Sequence, residues 1–246
     1  MDAQRLGSRA AYDAAVPDTL PELESEITAC RACPRLVAWR EAVAADPPAR
    51  FRGETYWARP VPGFGDPHAR VAIVGLAPAA NGANRTGRMF TGDRSGDFLF
   101  AALHRTGFAS QPTSVHAGDG LELHDAFITA AVRCAPPDNK PTPGERTNCL
   151  PWVERELDLL TAVQVFVVLG AFAYHALWTV LGARGVQLPR PRPAFAHGLE
   201  VPTSAGVIVG SFHPSQQNTF TRRLTPPMLD SVFLRARALA ALPEPD

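Results

Sequence analysis

The sequence predicts an α/β fold in which a parallel sheet is covered by helices on both faces. Three observations carry this. Four short apolar runs, VAIV (71–74), FITAAV (127–132), VFVVLG (165–170) and VIVG (207–210), are continuously apolar, as strands buried on both faces are. Helical patterns separate these runs in order along the chain, which favours parallel pairing. Hydrophobic residues make up 46% and charged residues 20% of the 246, the mix of a folded globule rather than a disordered chain.

Taken in order, residues 1–18 have no apolar core and are expected to be loose, with one domain over 19–246. Residues 19–45 read as two helical pieces around Cys30 and Cys33. Residues 46–69 contain five prolines and read as an ordered loop. The first apolar run follows, then a Gly-rich loop and a helix over 95–105. After the second run comes a Pro-rich loop and a helix over 144–160. Its start, Thr142-Pro143-Gly144-Glu145, has the pattern of a capping box with Pro at the first helical position. The third run leads into a helix over 172–181. The fourth precedes a closing helix over 227–242.

Lys plus Arg equals Asp plus Glu at 24 each, so the net charge is zero. This excludes a generally basic nucleic-acid-coating protein but leaves room for a local basic face. Lys140 is the only lysine. The first 30 residues carry six acids and two bases, net −4, which leaves the rest of the chain at +4. The N-terminus lacks a signal-peptide layout, and no apolar run approaches the roughly 20 residues that span a bilayer. A cytoplasmic protein without a membrane partner is expected. In that compartment disulfides are uncommon, so four cysteines favour a metal or cluster site. They are spaced C-x2-C (Cys30, Cys33) and C-x14-C (Cys134, Cys149). Spacing alone accepts zinc or an iron–sulfur cluster, and two unrelated buried thiols beside a chance C-x2-C is the plain alternative.

Three loops gather unusual residues at the carboxyl ends of predicted strands, the edge where open α/β sheets bind ligands. They are GLAPAANGANRTGRMFTGDRSG (75–96), RCAPPDNKPTP (133–143) and SFHPSQQNTFTRRLTPP (211–227). Asp93 can orient water or stabilise positive charge, or simply cap the helix that follows. Asn139 can orient a water or a base edge, or serve as a turn former. His213 can donate a hydrogen bond to a leaving-group oxygen. The other six histidines read as structural. Phe90 is either a stacking platform or a loop anchor. Arg85, Arg88, Arg222 and Arg223 suit phosphate contacts or form a solvated face. GFGDPH (63–68) lacks the third glycine of a dinucleotide fingerprint, GLAPAANG lacks the Gly-Lys-Ser/Thr of a P-loop, and there is no Gly-x-Ser-x-Gly elbow.

Together the three loops and the four-cysteine spacing resemble the family 5 (type B) uracil-DNA glycosylases, from about Cys30 to the closing helix. The resemblance implies a three-layer α/β/α sandwich with a central four-stranded parallel sheet. It implies a structural [4Fe-4S] cluster on Cys30, Cys33, Cys134 and Cys149. It also implies hydrolytic excision of uracil, and of other deaminated bases such as hypoxanthine, from double-stranded DNA. Gly75, Phe90 and His213 are expected to bind the flipped base. Asp93 and Asn139 are expected to position water or stabilise the sugar cation. Gln216, Gln217, Arg222 and Arg223, with Arg85 and Arg88, are expected on the DNA. Related family 4 enzymes have Glu where Leu76 stands, so no catalytic carboxylate is expected there, and Asn where Ala130 stands, so base selection is expected to be relaxed. Without a lysine at a matching position, a monomeric enzyme that does not cleave the strand is expected. A non-catalytic iron–sulfur or zinc DNA sensor is the alternative.

Overall fold

The structure is a computed structural model, and it describes residues 19–244. The predicted loose segment 1–18 lies outside the described residues. The chain runs α1 (Leu20–Ala29), α2 (Pro34–Ala45), β1 (Phe64–Gly65), β2 (Val71–Gly75), α3 (Ala83–Thr86), α4 (Arg94–Arg105), β3 (Ala126–Ala130), α5 (Pro143–Leu159), β4 (Val165–Leu169), α6 (Ala171–Ala183), β5 (Glu200–Thr203), β6 (Gly206–Ser211), α7 (Gln216–Phe220) and α8 (Pro226–Leu239). A 3-10 turn, Ala49–Phe51, follows α2.

The sheet has six strands in the order β1-β3-β2-β4-β6-β5, not four. The four apolar runs form its parallel centre, β3-β2-β4-β6. Two short antiparallel strands, β1 against β3 and β5 against β6, close the edges. Both are hidden in the sequence for physical reasons. β1 is two residues inside the Pro-rich stretch, and β5 carries Pro202, tolerated because an edge strand has a side with no ladder to donate to.

One face of the sheet packs Leu99, Phe100 and Leu103 of α4 and Leu229, Val232 and Phe233 of α8. The other packs Leu150, Val153 and Leu157 of α5 and Tyr174, Leu177 and Leu181 of α6. This is the three-layer arrangement. A third cluster joins α1 and α2 to the β3–α5 region through Leu23, Ile27, Leu36, Val132 and Trp152, and includes Cys134 and Cys149. The capping box at α5 forms as predicted: Glu145 N–H donates to Thr142 Oγ1 at 3.2 Å, and Thr142 N–H donates to the Glu145 carboxylate at 2.7 Å. No helix among the described residues is long and apolar enough to cross a membrane.

Candidate active site at the strand ends

Parallel pairing aligns Gly75 at the end of β2 with Ala130 at the end of β3. It also aligns Leu169 of β4 with Ser211 of β6. The loops after β2, β3 and β6 therefore leave the sheet at one edge. A cavity of about 790 Å³ there is lined by Asp93, Asn139, Gln216 and Arg85, together with Trp39, Phe51 and Arg94.

Asp93 is the N-cap of α4. Ser95 N–H and Gly96 N–H donate to its Oδ1 at 2.8 and 3.0 Å. Both readings of this residue thus hold: it caps the helix and lines the cavity. Burial pushes its carboxyl pKa up, although the two backbone donors pull it down. A carboxylate destabilised by burial is a better proton acceptor. Its Oδ2 lies against Gly82, where a Cβ would stand 2.1 Å away. Asn139 ends a short turn and is exposed, with Asp138 and Asn139 both left-handed at φ 54° and 55°. Asn and Asp adopt that region more readily than other side chains.

Phe90 has φ 54°, unusual for an aromatic residue. Its ring packs on the end of β2, where a Cβ on Gly75 would stand 2.8 Å from it. The rings of Phe90 and His213 are 6.0 Å apart, tilted by 35°. Phe90, Gly75 and His213 thus form one group at the strand ends, separate from the lining that holds Asp93 and Asn139. Burial pushes the His213 pKa down to about 4, so the ring is neutral at neutral pH. Asn218 Nδ2 donates to the His213 carbonyl at 2.8 Å. At the end of β4, Gly170 (φ 94°) leaves room that a Cβ would take, 3.2 Å from His213 Cβ.

The arginines divide. Arg88 is 8% exposed and is held by Asp119 at 2.8 Å, Ser114 at 2.8 Å and Thr91 at 3.0 Å. It braces the loop from inside, which corrects its expected place on DNA. Arg85 lines the cavity but donates to Glu54 at 2.6 Å and to the carbonyls of Asn81 and Gly92, so it has little left for a phosphate. Gln216, Gln217, Arg222 and Arg223 are exposed on or beside α7. The Arg223 guanidinium lies 4.6 Å over the Phe212 ring, which also stacks on His197 at 5.2 Å. His197 Nδ1 accepts from Phe212 N–H at 3.2 Å, bracing the backbone next to His213.

The four cysteines line a second, small cavity with Arg133, Asn148 and Trp152. Among the described residues no three Cys, His, Asp or Glu side chains stand in position to share a single metal ion. The thiols receive donors: Arg40 Nη1 to Cys134 Sγ at 2.9 Å, Arg133 N–H to Cys149 Sγ at 3.2 Å, and Asn148 Nδ2 to Cys33 Sγ at 3.8 Å.

The family model of the uracil DNA glycosylase superfamily matches residues 62–237. A type-5 uracil-DNA glycosylase of Mycobacterium tuberculosis is 53% identical over 223 residues, covering 90% of this chain and 82% of the relative. This chain belongs to the type-5 branch of the uracil DNA glycosylase superfamily. A type-5 relative from Thermus thermophilus is 54% identical over 88% of this chain and 96% of its own length. A type-4 relative from Sulfurisphaera tokodaii is 25% identical over 92% of this chain and 87% of its own. The fold also positions three residues outside the expected site set: Gly82 and Gly170 leave room for Asp93 and His213, and His197 braces Phe212. Their role depends on contacts with residues distant in the chain, so only a spatial arrangement exposes it.

Proposed function

We propose that this chain is a monomeric, monofunctional uracil-DNA glycosylase that excises uracil, and hypoxanthine as well, from double-stranded DNA. The observation that carries the reading is Asp93. In a chain of this superfamily, it is a carboxylate destabilised by burial, held by one oxygen, on a cavity it shares with Asn139. The target nucleotide leaves the stack and enters at the strand ends. Phe90 stacks on the base, against the floor provided by Gly75. The neutral His213 ring donates a hydrogen bond to a base carbonyl. As the C1′–N bond breaks, its electron pair moves to the base, and the hydrogen bond strengthens as negative charge grows there. Water, oriented by Asn139, forms the new C1′–O bond and gives its proton to Asp93. Asp93 then gives that proton up to solvent and the departing base anion takes one from solvent, so the products are a free base and an abasic sugar.

Hypoxanthine is included because Ala130, buried at the end of β3 beside Gly75, has no amide to select one base edge. A single lysine, Lys140, exposed after the Asn139 turn, argues against a Schiff-base intermediate.

The cysteine cavity suits a [4Fe-4S] cluster. A buried guanidinium aimed at Cys134 Sγ and backbone and amide donors aimed at two other sulfurs match a set of thiolates with excess negative charge. Four thiols lining one small cavity suit a polynuclear centre. Cys30, Cys33, Cys134 and Cys149 would hold it, and a cluster bound there would tie the α1–α2 turn to β3 and α5.

The test uses duplex oligonucleotides with one uracil or one hypoxanthine, followed by alkali to cut at abasic sites. Alkali-dependent cleavage of both is expected, with no borohydride-trapped protein–DNA adduct. Intact uracil duplex would overturn the enzymatic reading, and a trapped adduct would overturn the monofunctional one.

A further inference from the structure

The base-binding group Phe90, Gly75 and His213 is not on the lining of the cavity at the strand ends, so that cavity has room for more than the flipped base. Its 790 Å³ falls within the roughly 300–1,000 Å³ that encloses a whole drug-sized ligand. Asp93 and Asn139 account for part of its lining. Another part comes from Trp39 on α2 and from Arg50 and Phe51 in the 3-10 turn, residues that precede the sheet and have no role in the chemistry above.

That part has the composition of a nucleobase platform. Trp39 is 38% exposed, and with Val115 it is one of two exposed large hydrophobic residues on this lining. The Phe51 ring is contacted by two guanidinium groups, Arg85 at 4.2 Å and Arg50 at 4.5 Å. Alternating aromatic rings and arginines bind unpaired nucleic acid, because every base has a π-face and every linkage a phosphate. The platform is rigidly coupled to the catalytic loop. Arg85, stacked on Phe51, donates to the carbonyl of Gly92, the residue before Asp93, at 3.1 Å. Asn84 Nδ2 donates to the carbonyl of Arg40, next to Trp39, at 3.3 Å. Arg50 is exposed on the same lining.

We propose that Trp39, Phe51 and Arg50 hold a second nucleobase of the lesion-bearing strand, drawn out of the duplex next to the excised one. This rests on the glycosylase reading and specifies how that site grips its substrate. Unstacking the neighbour costs energy that the platform returns by stacking, so the contribution appears in substrate binding and not in bond cleavage.

The experiment compares excision from three duplexes: an intact one, and two in which the base on the 5′ or the 3′ side of uracil is replaced by a three-carbon spacer. For the natural chain, removing one of the two neighbours is expected to raise KM about tenfold, within the range of one base–aromatic stack, with kcat unchanged. Trp39→Ala is expected to raise KM on the intact duplex by a similar factor and to become indifferent to the spacer. Trp39→Phe, which keeps a π-face, is expected to restore most of the binding. If the natural chain excises uracil with the same KM from all three duplexes, the platform is overturned while the glycosylase reading stands. The platform is equally overturned if Trp39→Ala still senses the missing neighbour. No excision from the intact duplex overturns the glycosylase reading and the platform together.

Discussion

Asp93 and Gly82 approach so closely that a Cβ on Gly82 would stand 2.1 Å from Asp93 Oδ2. Cγ and Cβ of Asp93 would stand 2.9 and 3.1 Å from it, so the side chain cannot yield without loosening its hold on the Ser95 and Gly96 amides. Gly82→Ala is therefore expected to lower the melting temperature by about 2–4 °C, the scale of a lost cap. It is expected to lower kcat by about 100-fold, the scale of an ångström-sized misplacement of a catalytic group. A steady-state excision assay beside a thermal melt checks this, and an unaltered kcat would dissociate the Gly82 contact from the chemistry.

Two substitutions of Asp93 separate its two duties. Its carboxyl is raised by burial, so its contribution to stability is greatest below the ordinary carboxylate pKa and is lost as pH rises through the folded value. Asp93→Asn keeps an oxygen for the Ser95 and Gly96 amides and removes the buried charge, so a melting temperature equal to or above the original is expected at neutral pH. Asp93→Ala loses the cap, about 1 kcal/mol, or about 2–4 °C for a chain of this size. Both variants should lose excision. A stable Asp93→Asn protein with normal kcat would remove Asp93 as the proton acceptor.

His213 makes a prediction about acid. Burial lowers its pKa to about 4, whereas an unfolded histidine titrates near 6.5. Between those values the unfolded chain binds a proton that the folded one refuses, so stability falls as pH drops from 6.5 to 4. The full difference amounts to up to about 3 kcal/mol. Denaturant unfolding at pH 7.5 and 4.5 should show a smaller acid loss for His213→Gln than for the natural chain. Comparing the two removes the share of His175 and His197, whose pKa values burial also lowers. The pH profile of excision should show no imidazole step near 6.5.

Buried parallel strands are legible because all five positions of β2, β3 and β4 are apolar or enclosed, which leaves continuous runs in the sequence. Asn139 and His213 are legible because they stand a few residues beyond such a run, and Asp93 because it sits in the Gly-rich loop that follows one. Arg88 misleads because nothing local marks its ion pair with Asp119, 31 residues further on. Trp39 and Phe51 carry no such mark, because a Pro-rich connector reads as loop whatever rings it holds or adjoins. The glycines at 82 and 170 are defined by a missing Cβ opposite a distant side chain, and periodicity does not register a missing atom.

Arg40 is 2% exposed, donates to Cys134 Sγ at 2.9 Å and to the Cys30 carbonyl at 3.4 Å, and leaves Nε without a partner. Burial and the neighbouring thiols raise the Cys134 pKa to about 11, and the Arg40 charge opposes that rise. A buried cation here is stable only beside anionic sulfur. On the cluster proposed above, Arg40→Gln should therefore lower the iron content and visible absorbance of the purified protein several-fold and reduce its melting temperature. Arg40→Lys, which keeps the charge, should retain more iron than Gln. Full iron loading in Arg40→Gln would show that the sulfurs need no buried counter-charge.

Phe220 ends α7 and is 64% exposed, with the Arg94 guanidinium 5.3 Å from its ring. Its helix is tied to the site, since Asn218 of α7 donates to the His213 carbonyl. An exposed apolar side chain beside the cavity suits insertion into the stack that a flipped base has left. The benefit exists only where a stack has been opened. Phe220→Ala is expected to lower kcat/KM about tenfold on a uracil duplex, with a much smaller loss on the same uracil in a single strand and an unchanged melting temperature. Equal losses on both substrates would assign Phe220 to general DNA contact, because a wedge has nothing to fill in an unpaired strand.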